Sequence, residues 1–252
     1  MSRAGRTKDG RGRLGSRLSG LLVAVGCVLF LGGFVWGAIE YQPYTVPTGS
    51  MTPTVHAGDK VLAQRISGTD VHRGDVVVFK DPEWGDLPMV KRVVAVGGDT
   101  VACCDKQGRL SVDGKPLAEP YIDKAPGGRA STGDFSAKVP SGELFMLGDE
   151  RTTSLDSRVH LQDKQKGAVP RSEVRARVDA VAWPPASMIA RPHAFAALPG
   201  GVSSPGPLRL MLVAVVAGAV LIFVGAALGP LLARRERPRQ ARAHTGETAG
   251  AR

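Results

Sequence analysis

The 252-residue chain is poor in the residues that most often mark a metal centre or a histidine-based catalyst: it has three cysteines and five histidines. Cys27 lies in a long apolar run, where a free cysteine serves as a small apolar filler. Cys103 and Cys104 are adjacent, and two thiols with no histidine near them make a poor zinc site. Neighbouring cysteines rarely bridge, because the geometry is tight. The pair therefore reads as two alternating strand residues, one facing in and one out, with a vicinal or intermolecular disulfide as the other option. His56, His72, His160, His193 and His244 fall in linkers, turns or a tail and read as surface residues. There is no internal repeat, and nothing calls for a metal or a cofactor.

Positive charge is missing where a nucleic-acid binder would need it. The formal net charge is +10, but residues 40–207 hold 20 Lys/Arg and 20 Asp/Glu, which cancel. The excess sits in Arg3, Arg6, Lys8, Arg11, Arg13 and Arg17 at one end and in Arg234, Arg235, Arg237, Arg239 and Arg242 at the other. No basic footprint remains, which excludes nucleic acid as a partner.

What the chain does have is two long apolar runs, Leu18 to Ile39 and Leu210 to Ala233, each long enough to cross a bilayer as a helix. Cationic flanks stay on the cytoplasmic side, so both ends are expected inside and the middle domain outside, with the lipid bilayer as a partner. The first run exceeds a typical signal-peptide core and no clean A-x-A site follows, so an uncleaved anchor is expected. The organisation predicted is a basic cytoplasmic tail at 1–17, disordered by its Arg, Gly and Ser content. A transmembrane helix at 18–39 follows, then an extracytoplasmic domain at 40–185 and a Pro/Gly/Ser-rich linker at 186–207. A second transmembrane helix covers 208–233 and a basic cytoplasmic tail 234–252. Glu40 to Pro47 reads as a short linker, which holds Ser50 within roughly 35 Å of the membrane surface.

The middle domain is predicted to be mostly β. Strands are expected at Lys60 to Arg65, Asp75 to Lys80, Met89 to Val96, Thr100 to Cys104, Gly142 to Asp149 and Val174 to Trp183. Asp81 to Pro88 reads as a loop, Asp105 to Gly108 and Val112 to Lys115 as hairpin turns, and Asp123 to Lys138 as an exposed loop.

Amide hydrolysis near neutral pH needs a nucleophile, a base and a site for the oxyanion. Ser50, in Pro47-Thr48-Gly49-Ser50-Met51-Thr52-Pro53-Thr54, is a candidate nucleophile; Gly49 allows a tight turn there, and Thr48 offers a hydroxyl. Lys91 interrupts an apolar strand. A two-residue period places it on one face with Met89, Val93 and Ala95 while Arg92 points the other way, so burial is expected to depress its pKa. Standing alone, Lys91 also fits a lysine snorkelling at a sheet edge, and Ser50 an ordinary turn serine. A third stretch, Leu147 to Arg158, is dense in hydrogen-bonding groups after an apolar strand.

Together these pieces resemble the type I signal peptidases. Residues 47–54 resemble that family's nucleophile segment and 74–79 its structural strand. Residues 90–99 resemble the segment that carries its lysine base, and 148–158 its Gly-Asp-Asn-Arg…Ser-x-Asp-Ser-Arg block, in order across roughly residues 45–185. The resemblance implies a signal-peptidase-type β catalytic domain flanked by two transmembrane helices, as in some actinobacterial members. It implies a serine endopeptidase that removes signal peptides from exported preproteins after small residues at −3 and −1, near the protein-export translocon. It assigns Ser50 as nucleophile, Lys91 as base, Thr48 with the Ser50 amide as the oxyanion site, Ser154 as the hydrogen-bond partner that orients Lys91, and Asp156 with Arg158 as a bracing pair. Glu150 stands where the family usually has asparagine, and the accessory β domain is expected to be reduced. The alternatives of the same fold are a conjugation- or pilin-type processing peptidase, a self-cleaving repressor, which two spans argue against, and an inactive membrane-anchored binding subunit. Trp84 fits either the membrane interface or a cap on the core.

Overall fold

In sequence, two long helices come before and after a β domain. The computed structural model describes residues 10–184 and 187–244. Arg3, Arg6 and Lys8 lie outside the described residues, as do the side chains of Arg11, Arg13 and the arginines from Arg234 to Arg242. Helix α1 (Gly10–Glu40) begins inside the tail expected to be disordered. Once the apolar run has nucleated a helix, each further residue adds a hydrogen bond at little cost. Helix α3 (Leu208–His244) likewise extends into its basic flank. Within them, Arg17–Glu40 and Leu208–Pro230 are long and apolar enough to cross a membrane. The two helices pack through small residues: a Cβ at Gly26 would meet the Gly218 carbonyl at 2.8 Å, and Ser19 donates to the Gly225 carbonyl at 2.7 Å. Backbones approach this closely only where glycine removes the side chain.

The β domain, residues 40–206, holds two antiparallel sheets. The larger runs in the order β1 (Tyr41–Thr45), β2 (Lys60–Arg65), β11 (Val174–Trp183), β3 (Val76–Phe79), β4 (Met89–Val96), β9 (Glu143–Leu147), β10 (Ala168–Pro170), with β12 (Ser187–Met188) paired to β11. The smaller has the order β7 (Lys115–Pro116), β6 (Ser111–Val112), β5 (Thr100–Cys103), β8 (Phe135–Lys138). β3 reads Val-Val-Val-Phe and is buried along its whole length, as a β-branched strand covered on both faces must be. β4 lies between β3 and β9, and a register shift between Val93 and Ala95 breaks its alternation. Met89 and Val93 pack beside Val77 and Phe79, whereas Ala95 joins a different cluster with Phe145 and Leu147. The expected common face of Lys91 and Ala95 is therefore interrupted by a bulge.

Other stretches depart from expectation for identifiable reasons. Glu40 to Pro47 is not a free linker: β1 occupies it as an edge strand, where Pro43 costs no ladder bond. β8 lies inside the stretch read as an exposed loop, and β10 lies in one that received no prediction. Residues 187–206 do not form a loose tether. They carry β12 and the short helix α2 (His193–Ala196), and Phe195 is fully buried. Arg191 anchors this segment by donating to Asp179 at 2.6 Å and to Ser203 Oγ at 2.9 Å, and Tyr41 donates to the same Asp179 at 2.8 Å. Cys103 and Cys104 form a vicinal disulfide rather than an alternating in-and-out pair. The peptide bond between them is cis and their Cα atoms are 3.0 Å apart, a spacing that strand alternation does not contemplate.

Phe195→Ala is expected to cost about 3–5 kcal/mol, as for a fully buried phenylalanine, whereas truncation in a free tether costs about 0.5 kcal/mol or less. Urea unfolding of the two chains distinguishes these outcomes.

Candidate active site

The turn that carries Ser50 is held from below. After β1, Val46, Met51 and Val55 are buried in one cluster. The loop is pinched shut by backbone bonds from Val46 to the Asp59 carbonyl at 2.9 Å and from Gly58 to the Val46 carbonyl at 2.8 Å. Within it, Thr52 donates to the Gly49 carbonyl at 3.0 Å and Val55 to the Met51 carbonyl at 2.9 Å. Met51 is thus packing, and the side chain before it, Ser50, is left half-buried at the surface of the turn.

Lys91 comes to Ser50 from β4. Its side chain is buried and its Nζ donates to Ser50 Oγ at 2.7 Å. Burial pushes the Lys91 amine down to about 8; nearby Asp156 acts in the opposite direction, Arg158 partly offsets that carboxylate, and Asp149 adds a smaller upward pull. The Thr48 hydroxyl lies 3.3 Å from Ser50 Oγ. The Ser50 amide makes no hydrogen bond among the described residues.

The loop after β9 closes the other side. Asp156 receives the Arg158 guanidinium through two bonds of 2.8 Å and accepts from the Gly148 amide at 2.9 Å. Ser157 Oγ accepts from the Met146 amide at 2.8 Å. The bond expected between Ser154 and Lys91 is not made: Ser154 Oγ is buried with no hydrogen-bond partner among the described residues, while the lysine is aimed at Ser50. Ser154 instead lies over Gly148, where a Cβ would collide with it and with the Ser50 carbonyl. Glu150 donates its amide to that carbonyl at 3.2 Å.

Six residues that shape this geometry received no role from the sequence: Arg92, Asp149, Thr54, Tyr121, Glu119 and Arg151. Arg92 is 1% exposed and forks onto Asp149, with bonds of 2.8 and 2.6 Å, while also donating to the Gly74 carbonyl at 2.8 Å. Thr54, four residues past the nucleophile, donates to Asp149 at 2.5 Å. Tyr121 lies under the Arg92 guanidinium, 4.3 Å from its ring centre. Glu119 binds Arg151 at 2.6 and 3.0 Å, and both are buried. The signal for the first of these was available: an arginine inside an apolar strand requires a buried carboxylate. The partner's identity carried no local mark.

Between these segments opens a cleft of about 760 Å³. Ser50, Lys91 and Thr48 line it together with Trp84, Leu87, Pro88, Met89, Val90, Glu150, Thr153 and Leu155. Trp84 stacks edge-on against Phe79 and flat against His160, at 5.5 and 4.3 Å between ring centres, and so caps a core cluster. His160 is half-buried in this stack, not a free surface histidine. Among the described residues no group of His, Cys, Asp and Glu could hold a metal ion.

A β domain with a serine hydroxyl bonded to a buried amine, opening on an apolar cleft of peptide-binding size, has the makings of a serine peptidase. Comparison with known proteins narrows the class. The family model described as "Signal peptidase, peptidase S26" matches residues 17–183. Signal peptidase I of Mycobacterium tuberculosis is 32% identical over 235 residues, covering 73% of this chain and 79% of that one. Signal peptidase I V of Bacillus subtilis is 39% identical over 127 residues, covering 46% and 73%. A solved signal peptidase I from Enterococcus faecalis is 26% identical, covers 42% of this chain and 94% of its own, and superposes with a TM-score of 0.35. The chain belongs to the signal peptidase family, peptidase S26, and is a serine protease.

Asp149→Leu strands the buried Arg92 charge and is expected to destabilise folding by about 3–5 kcal/mol, whereas Arg92→Met with Asp149→Leu removes both charges and costs much less than the sum of Arg92→Met and Asp149→Leu made singly. Denaturant unfolding of the three variants gives the cycle.

Proposed function

We propose that the chain is a membrane-anchored signal peptidase in which Ser50 and Lys91 act as a dyad on the signal peptides of exported preproteins. The observation that carries this is the 2.7 Å bond between a half-buried serine hydroxyl and a buried lysine whose amine is depressed to about 8. A neutral amine accepts the Ser50 proton as Oγ attacks the scissile carbonyl, and the resulting ammonium returns that proton to the leaving amine. In this reading the Ser50 amide, which makes no hydrogen bond among the described residues, and the Thr48 hydroxyl, 3.3 Å from Ser50 Oγ, stabilise the oxyanion. Asp156 and Arg158 act as a bracing ion pair whose members push Lys91 in opposite directions, the arginine partly offsetting the carboxylate.

Substrate and location follow from the same reading. Cleavage after small residues at −3 and −1 is carried from the family. Ser50 lies ten residues past the end of α1 at Glu40, which keeps it near the plane where such a substrate leaves the bilayer. The basic flanks of both apolar helices support cytoplasmic ends and an extracytoplasmic β domain, close to the export translocon. Exposed Leu87 and Leu155 at the cleft, with Trp84 beside them, suit a site that works against a lipid surface.

Ser50→Ala and Lys91→Met are expected to lower preprotein processing by at least about 10³-fold, and Lys91→Arg equally, because arginine stays protonated. Full processing by any of these sinks the dyad. The neutral base is lost as pH falls through about 8, so kcat/KM falls roughly tenfold per pH unit below that value. In Arg158→Met the Asp156 charge is no longer offset and holds Lys91 protonated, so this limb moves to higher pH; in Asp156→Asn it moves lower. The pH–rate profiles of the variants read both shifts.

A further inference from the structure

Glu150 occupies an unusual electrostatic position. It lines the catalytic cleft, and its carboxylate is held by the Thr152 amide at 3.0 Å, the Thr153 amide at 2.7 Å and the Thr153 hydroxyl at 2.6 Å. Three donors fix one rotamer in a residue that remains half-exposed. Slight burial would raise the Glu150 carboxyl, but the hydrogen bonds from Thr153 and Thr152 outweigh it and hold the group below its ordinary value. Glu150 and Lys91 are the only ionisable side chains among the described residues that line the cleft. The other carboxylates nearby are taken: Asp149 by Arg92 and Asp156 by Arg158. When Lys91 is neutral and able to act as base, the cleft therefore carries one net negative charge, on Glu150. Its backbone is tied to the Ser50 carbonyl at 3.2 Å, so the carboxylate acts on substrate residues close to the scissile bond.

We propose that Glu150 is a specificity-determining residue: it favours polypeptide substrates carrying a lysine or arginine next to the scissile bond, at a position not taken by the small residues at −3 and −1, and disfavours those carrying an acid there. The interaction reads the substrate's charge in a solvated cleft, so it is modest and screened by salt. It is distinct from the role of Lys91, whose surroundings include Asp156, Arg158 and Asp149 but not Glu150 among the charges that shift it. The carboxylate fixes no atom of the reaction and acts through binding and encounter.

This inference rests on Ser50 as the nucleophile, and the experiment separates the two. The full chain in neutral detergent micelles cleaves paired signal-sequence peptides that differ only by Lys or Glu at −2, +1 or +2. At one of these positions the native chain is expected to prefer lysine in kcat/KM by about three- to tenfold at low salt, with the ratio shrinking toward one at high salt. Glu150→Gln and Glu150→Asn are expected to bring the ratio to within about twofold of one, while Glu150→Asp retains part of it. A loop merely loosened by substitution slows both peptides alike and leaves the ratio intact, so an unchanged ratio in Glu150→Gln and Glu150→Asn overturns the proposal. So does an equal loss of the ratio in Glu83→Gln, a change in an exposed acid outside the cleft lining. Ser50→Ala runs alongside: if it still cleaves, the nucleophile assignment fails, whatever the ratios show.

Discussion

The buried pair of Arg92 and Asp149 is the constraint on which the site depends. Arg92 belongs to the strand that carries the lysine, Asp149 to the loop after β9, and Thr54, which reaches Asp149, to the turn that carries the serine. A buried charge left without its counter-charge costs several kcal/mol. The three segments can therefore satisfy these groups in few ways other than the observed convergence. The pair need not add net stability to have this effect, since its value lies in what it forbids. Tyr121, under the guanidinium, and Glu119, on Arg151, extend the constraint into the segment that joins β7 to β8 of the smaller sheet. The smaller sheet is thus coupled to a site it does not line.

The same arrangement explains how a lysine can serve as a base. Burial alone depresses an amine, but a neighbouring carboxylate restores its charge, and this site is rich in carboxylates. The carboxylates that act on Lys91 are each matched with an arginine: Asp149 with Arg92 and Asp156 with Arg158. Lys91 is bonded to a neutral hydroxyl instead. Arginine suits the matching role because it holds its charge and forks onto two oxygens, which lysine cannot do. Arginine thus neutralises the two carboxylates that would otherwise hold Lys91 charged, which leaves that amine free for the proposed chemistry.

Much of this was written locally. The apolar β-branched runs at β3, β4 and β11 read as strands because burial imposes its own composition, and Lys91 stood out because a lysine has little reason to interrupt such a run. What was not legible came in two kinds. β1 and the 187–206 segment looked like linkers because proline, glycine and serine usually mean solvent-exposed chain. Here Pro43 sits on a sheet edge, and Arg191, Ser203 and Phe195 tie the late segment down through partners more than a hundred residues away or in other elements. The second kind is partner choice. Nothing near Glu119, Tyr121 or Thr54 announces Arg151, Arg92 or Asp149, because a long-range ion pair leaves no periodic mark on either side. Ser154 illustrates the reverse error: a role carried by family pattern gave its hydroxyl a bond that this geometry does not make.

In the proposed dyad, the order of the two cations on β4 is itself part of the mechanism. Alternation in a strand sends neighbouring side chains to opposite faces, so Lys91 enters the cleft and Arg92 the core. A one-residue slip of that strand would exchange them. Arginine would then face Ser50 and could take no proton, while lysine would face Asp149 with a single ammonium in place of a fork, unable to reach the Gly74 carbonyl and Thr54 together. The slip loses catalysis and strands buried polar groups at once, so packing selects the same register that chemistry requires. The bulge at Val93–Ala95 comes just after the pair, where the strand can change face without disturbing either residue. Lys91-Arg92 is thus a single device in which the arginine's need for Asp149 fixes the strand register, and that register aims the lysine at Ser50.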